Sequence, residues 1–175
     1  MNEFSTLDAY GALTGPDTLE IRRNLPGPIE RVWRYLTESD LRSKWLAAGE
    51  MEGKVGAPFT LTWRNDELTD PPGARPEGFS GEHSMESRVT RFEPPAALEF
   101  TWGESGAVLI ELEAKGDAVL LTLTHRRLPE GEVRQMIRAG WHAHLDVLVA
   151  RAKGEEPAPF WDEWSRLKEK YDVRE

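Results

Sequence analysis

The stretch EVRQMIRAGWHAHLDVLVARAKG, residues 132–154, decides the fold. Val133, Met136, Ile137, Gly140, Trp141, His144, Leu145, Leu148 and Ala152 recur at the three- and four-residue steps of one helical face. From Glu132 to Lys153 the pattern runs about six turns, roughly 33 Å at the α-helical rise. Gly154 is placed to cap it. A stripe of that length has to be covered, and the segments before it supply the cover.

Those segments alternate with period two, the signature of strands with one buried face. PFTLTW sets Phe59, Leu61 and Trp63 on one side, and ALEFTW does the same with Leu98, Phe100 and Trp102. SGEHSMESRVTRFE is a long strand stopped by Pro94-Pro95, with His83, Met85 and Val89 sharing a face. VLIELEAKGDAVLLTLTHRRL reads as a hairpin turning at Gly116-Asp117. Its second strand aligns Val119, Leu121, Leu123 and His125, while Glu111 and Glu113 face outward on the first. Thr18–Leu25 adds a strand at the start, and NDELTDPPGARPEG (65–78) is a loop. The expected fold is α+β: an antiparallel sheet of about six strands curved around the long helix.

Between the first strand and the rest lies PGPIERVWRYLTESDLRSKWL, residues 26–46. Pro28 suits the first turn of a helix, and Ile29, Val32, Trp33 and Leu36 share its inner face. Thr37 and Asp40 match a weak capping box for a second helix that turns Leu41, Trp45 and Leu46 inward. Trp33 reads as an anchor of the first helix, and Trp45 is expected at the mouth of any cavity.

The chain has 175 residues, enough for one domain with a sizeable core. Residues 18–154 form that domain. Residues 1–17 are an N-terminal extension with Leu7, Tyr10 and Leu13 as its apolar points, and 155–175 are a tail expected to fold back as a short helix through Phe160, Trp161, Trp164, Leu167 and Tyr171. The net charge is −9 and no basic run is longer than a pair such as Arg126-Arg127, which argues against nucleic acid and anionic membrane as partners. Interleaved charges such as those of ESDLRSKW read as a solvated surface. No apolar run nears the roughly 20 residues of a membrane span. The absence of cysteine removes disulfides and thiolate zinc, and the start of the chain lacks a secretory pattern; the expected setting is the cytoplasm.

Chemistry-bearing motifs are scarce. There is no GxSxG, phosphate loop or dinucleotide fingerprint, so no catalytic residue and no cofactor is assigned. No HExxH occurs, and His142 and His144, two residues apart on a helix, diverge, so no metal site is assigned. His144 shares the inner face with Trp141 and is read as a satisfied buried histidine, with a polar handle in an apolar cavity as the functional alternative. Gly140 in mid-helix costs about 1 kcal/mol against alanine and implies a close neighbour, a ligand or a kink.

RNLPGPIERVWRYLTESDLRSKWL and GWHAHLDVLVARAKG together resemble the opening motif and closing helix of the START-like (SRPBCC) superfamily, nearest to homologues of the C-terminal domain of the heat-shock-protein ATPase activator. The resemblance covers roughly residues 18–154 and does not extend to the activator's separate N-terminal domain. It implies a helix-grip fold with a cavity between sheet and long helix, and a stress-linked role. The leading functional reading is a small apolar or amphipathic ligand in that cavity. The ligand-binding residues are expected to be Trp45, Trp63, Met85, Phe100, Trp102, Leu121, Leu123, His125, Met136, Gly140, Trp141 and His144. Two alternatives stand beside it. One is a protein-interaction module of co-chaperone type with a filled core and an exposed patch around Phe160-Trp161-Trp164. The other is a cyclase- or hydrolase-like enzyme using the cavity.

Overall fold

The computed structural model describes residues 8–173. Its sheet has seven antiparallel strands in the order β1-β2-β7-β6-β5-β4-β3. These are β1 Ala12–Leu13, β2 Leu19–Pro26, β3 Pro58–Trp63, β4 His83–Glu93, β5 Ala97–Trp102, β6 Gly106–Lys115 and β7 Ala118–Arg126. The strand beyond the expected six is β1, where Ala12 and Leu13 pair with Glu20 and Leu19. It lies inside the stretch read as an extension. Leu7 falls outside the described residues.

The sheet grips α3, Glu132–Lys153, which ends at Gly154 in the left-handed conformation at φ 73°. This is the helix-grip arrangement. Period-two alternation places Val119, Leu121, Leu123 and His125 inward with essentially no exposure, and leaves Glu111 and Glu113 on the solvent side. Among the described residues no helix is long and apolar enough to cross a membrane.

Helix α1, Ile29–Thr37, buries Val32, Trp33, Tyr35 and Leu36. Trp33 meets Phe92 edge to face at 5.3 Å, fixing α1 to β4. The second helix is shorter than its sequence implies: α2 is only Ser39–Arg42. No capping box forms, because Thr37 Oγ1 donates back to the Trp33 carbonyl at 3.0 Å. The physical reason for the early turn is Arg42. Far from being solvated, its guanidinium is buried and donates to the carbonyls of Leu36 (3.2 Å), Ala47 (3.1 Å) and Gly49, as well as to Thr37. One cation thereby satisfies carbonyls at the end of α1 and beyond α2, and the chain folds around it. Burial lowers its pKa to about 10, so it stays charged at neutral pH.

The tail forms α4, Phe160–Val173, longer than the short helix expected, and it packs along α3. It covers His142, which points away from the sheet yet is buried, its Nδ1 2.9 Å from the Tyr171 hydroxyl. The same hydroxyl accepts the Gly11 N–H at 2.7 Å, joining α3, α4 and the N-terminal segment.

Candidate functional site: an aromatic cavity beside His144

At one end of the sheet–helix interface the core is hollow. A cavity of about 490 Å³ lies there, within the size range of small-molecule sites. Helix α3 supplies Val133, Met136, Ile137, Gly140, Trp141 and His144 to its wall. Strands β3, β4 and β5 supply Trp63, His83, Met85 and Trp102, and Leu46 reaches in from the segment after α2. The β3–β4 loop adds Asn65, Gly78, Phe79 and Ser80, and α4 adds Phe160, Trp161 and Trp164.

The aromatic walls brace one another. Trp102 lies 5.5 Å from Trp63 and 5.3 Å from Trp141, while Phe79 packs against Trp161 at 5.5 Å and Trp164 at 5.1 Å. Two indoles are committed to fixed partners: Trp141 Nε1–H donates to His125 Nδ1 at 3.0 Å, and Trp161 Nε1–H donates to Asp66 at 2.8 Å. The Nε1–H groups of Trp63, Trp102 and Trp164 make no hydrogen bond among the described residues.

His144 is the polar feature of the α3 wall. Its residue is only 6% exposed, and its Nδ1 lies 2.8 Å from the Trp45 carbonyl oxygen. A carbonyl can only accept, so Nδ1 carries the proton. Burial lowers the ring's pKa to about 4, so it is neutral at physiological pH and Nε2 is a bare lone pair. That nitrogen has no hydrogen-bond partner among the described residues. His125 has the opposite tautomer. Its Nδ1 accepts from an indole, so Nε2 bears the proton, and this buried N–H has no partner among the described residues. Burial lowers its pKa to about 4 as well. Asn65 contributes a buried acceptor, Oδ1, also without a partner among the described residues.

Seven of the expected residues come together around the cavity: Trp63, Met85, Trp102, Met136, Gly140, Trp141 and His144. Phe100, Leu121, Leu123 and His125 are packed in the core and do not line it, His125 acting instead as a brace behind Trp141. Trp45 is not at a mouth. It is fully buried, and its Nε1–H donates to the Tyr35 carbonyl at 2.8 Å because α2 stops early and the chain turns it inward. The Phe160-Trp161-Trp164 cluster is no exposed patch; all three are buried. Phe79, Asn65 and the α4 aromatics belong to the wall although sequence spacing did not connect them to it. Gly140 has no crowding neighbour: a Cβ there would meet only Trp164 Nε1, at 3.9 Å. Among the described residues no group of three His, Asp or Glu side chains gathers for a metal.

The model of the family described as Activator of Hsp90 ATPase homolog 1-like protein matches residues 26–153. Among solved structures, a Bordetella parapertussis protein determined by solution NMR is 36% identical, with a TM-score of 0.79 over 100% of this chain and 96% of that one. CalU16 from Micromonospora echinospora is 21% identical with a TM-score of 0.65, covering 89% of this chain and 86% of its own. A conserved Enterococcus faecalis protein of unknown function is also 21% identical at 0.65, covering 92% and 86%. These last two likenesses are of fold. No curated protein matches the sequence.

Proposed function

The chain belongs to the Activator of Hsp90 ATPase homolog 1-like family, and from that premise we propose that it binds a small apolar or amphipathic molecule between its sheet and α3. The observation that carries this reading is the 490 Å³ aromatic-walled cavity, whose lining combines apolar surface with a few polar atoms left unused. Burial of ligand area against the indoles drives binding, and the unused nitrogens orient it. No catalytic step is assigned. The wall holds no Asp, Glu, Lys or Arg, and burial keeps His144 neutral at physiological pH.

Thermal unfolding against a panel of apolar and amphipathic compounds tests the reading. A ligand at one hundred times its Kd adds about 2.7 kcal/mol, which raises Tm by roughly 5–10 °C at this chain length. No shift with any member of a chemically broad panel would defeat it.

A further inference from the structure

We propose that the cavity selects uncharged ligands bearing a hydrogen-bond donor on a ring, such as a phenol, and seats that donor on Nε2 of His144. The inference rests on the binding reading above and gives it a chemical class.

Charge is excluded first. None of the lining residues is acidic or basic apart from the two histidines. A carboxylate or ammonium seated at the buried end, beside His144, would lose its water without gaining a counterion, and an unpaired buried charge is strongly unfavourable; only at the exposed rim of Gly78, Ser80, His83 and Val133 would it stay hydrated.

The donor requirement comes from the backbone. Because the Trp45 carbonyl claims the Nδ1 proton of His144, the ring cannot switch tautomer without losing that 2.8 Å bond. Nε2 is therefore an acceptor only, unlike a hydroxyl that can rotate to suit either kind of partner. With the ring neutral down to a pKa of about 4, this holds across the physiological range. A ligand that covers Nε2 with carbon leaves a buried acceptor unsatisfied; one that offers O–H or N–H repairs it.

Shape favours a ring. Gly140 lies one turn before His144 on the same helical face, and it carries no side chain. The space where its Cβ would stand meets only Trp164 Nε1, at 3.9 Å. That notch adjoins the imidazole, and Phe160 bounds the imidazole with ring centroids 4.8 Å apart. A flat group sliding over Gly140 reaches Nε2 with its edge, where a phenolic hydroxyl projects. The free indole N–H of Trp164 offers a contact for an acceptor elsewhere on the same molecule.

The test is a tryptophan-fluorescence titration with biphenyl, para-phenylphenol, para-methoxybiphenyl and para-phenylbenzoate. The expected order places the phenol about three- to tenfold tighter than biphenyl and its methyl ether, the range one neutral hydrogen bond supports, with the benzoate weakest. In His144→Leu the phenol should fall to the level of biphenyl, while biphenyl itself is little changed. Should that variant fold poorly, the imidazole ¹⁵N signal of Nε2 in the unaltered protein serves instead. It should move on adding the phenol and stay on adding biphenyl. Equal affinity for phenol and biphenyl, tight benzoate binding, or an unmoved Nε2 signal at saturation would overturn the donor rule and leave the binding reading standing. If none of the four compounds binds, the preference for a ring-borne donor is overturned, while the binding reading itself stands or falls on the broad thermal-unfolding panel.

Discussion

The two halves of α3 carry one continuous apolar stripe, yet they end in different surroundings. In the C-terminal half, Leu145 and Leu148 are wholly buried in a close-packed core. In the N-terminal half, Met136, Ile137 and Gly140 are only partly covered and face the cavity. Helical periodicity says which face is covered; it does not say whether the cover touches. The difference is made by the partners. Around the first half the facing groups are indoles held apart by their own contacts, Trp63 against Trp102 and Phe79 against Trp161 and Trp164. Rings braced in this way cannot collapse into the gap, so the gap persists.

Truncation should break the symmetry most sharply. Leu148→Ala opens a hole in a filled region and should cost about 3–5 kcal/mol. Ile137→Ala, at a partly exposed residue of the cavity wall, only enlarges an existing space and should cost about 1 kcal/mol. Urea unfolding of the pair measures both, and equal losses would erase the distinction between the halves.

The pH dependence follows in size. Burial lowers His144 from 6.5 to about 4 in the folded protein. Above pH 6.5 the ring is neutral in both states. As pH falls from there toward 4, the unfolded chain takes up a proton that the folded protein refuses, so stability declines, by roughly 3 kcal/mol in all at about 1.36 kcal/mol per unit. His125, lowered to the same region, adds a decline of the same sign. In His144→Leu the slope of unfolding free energy between pH 6.5 and 4 should be shallower than in the unaltered protein. Parallel slopes would contradict the neutral, buried imidazole.

The smallest effect should come from Gly140→Ala. With no neighbour nearer than 3.9 Å, the methyl group meets no clash. The helix should gain up to about 1 kcal/mol, while affinity for a ligand lying over the notch falls. A stabilised variant with undiminished affinity would place the ligand elsewhere in the cavity.

Much of this arrangement was legible in the sequence. Periods of two and 3.6 mark the strands and the limits of α3 because each depends only on which side of an element is dry. Seven of the wall residues followed from the same patterns. The rest depended on long-range contacts that leave no local trace. Arg42 looks like one more surface charge in ESDLRSKW until four backbone carbonyls converge on it, and that convergence sends Trp45 into the core. The α4 aromatics lie outside the sheet-and-helix pattern, and only the docking of α4 on α3 brings Trp161 and Trp164 to the cavity. Likewise, Leu121 and Leu123 on β7 lie on the same inner face of the sheet as the wall strands but are fully buried away from the cavity.

The most direct test reads the seven tryptophans one by one. In a ¹⁵N–¹H correlation spectrum each indole N–H gives its own signal, and titration with para-phenylphenol reports which of them sense the ligand. The account predicts that the signals of Trp63, Trp102 and Trp164 move to saturation while those of Trp33 and Trp45 stay in place. Movement of Trp33 and Trp45 with the other three unchanged, or no movement in any signal, would contradict the claim that the hollow half of the grip is the binding site.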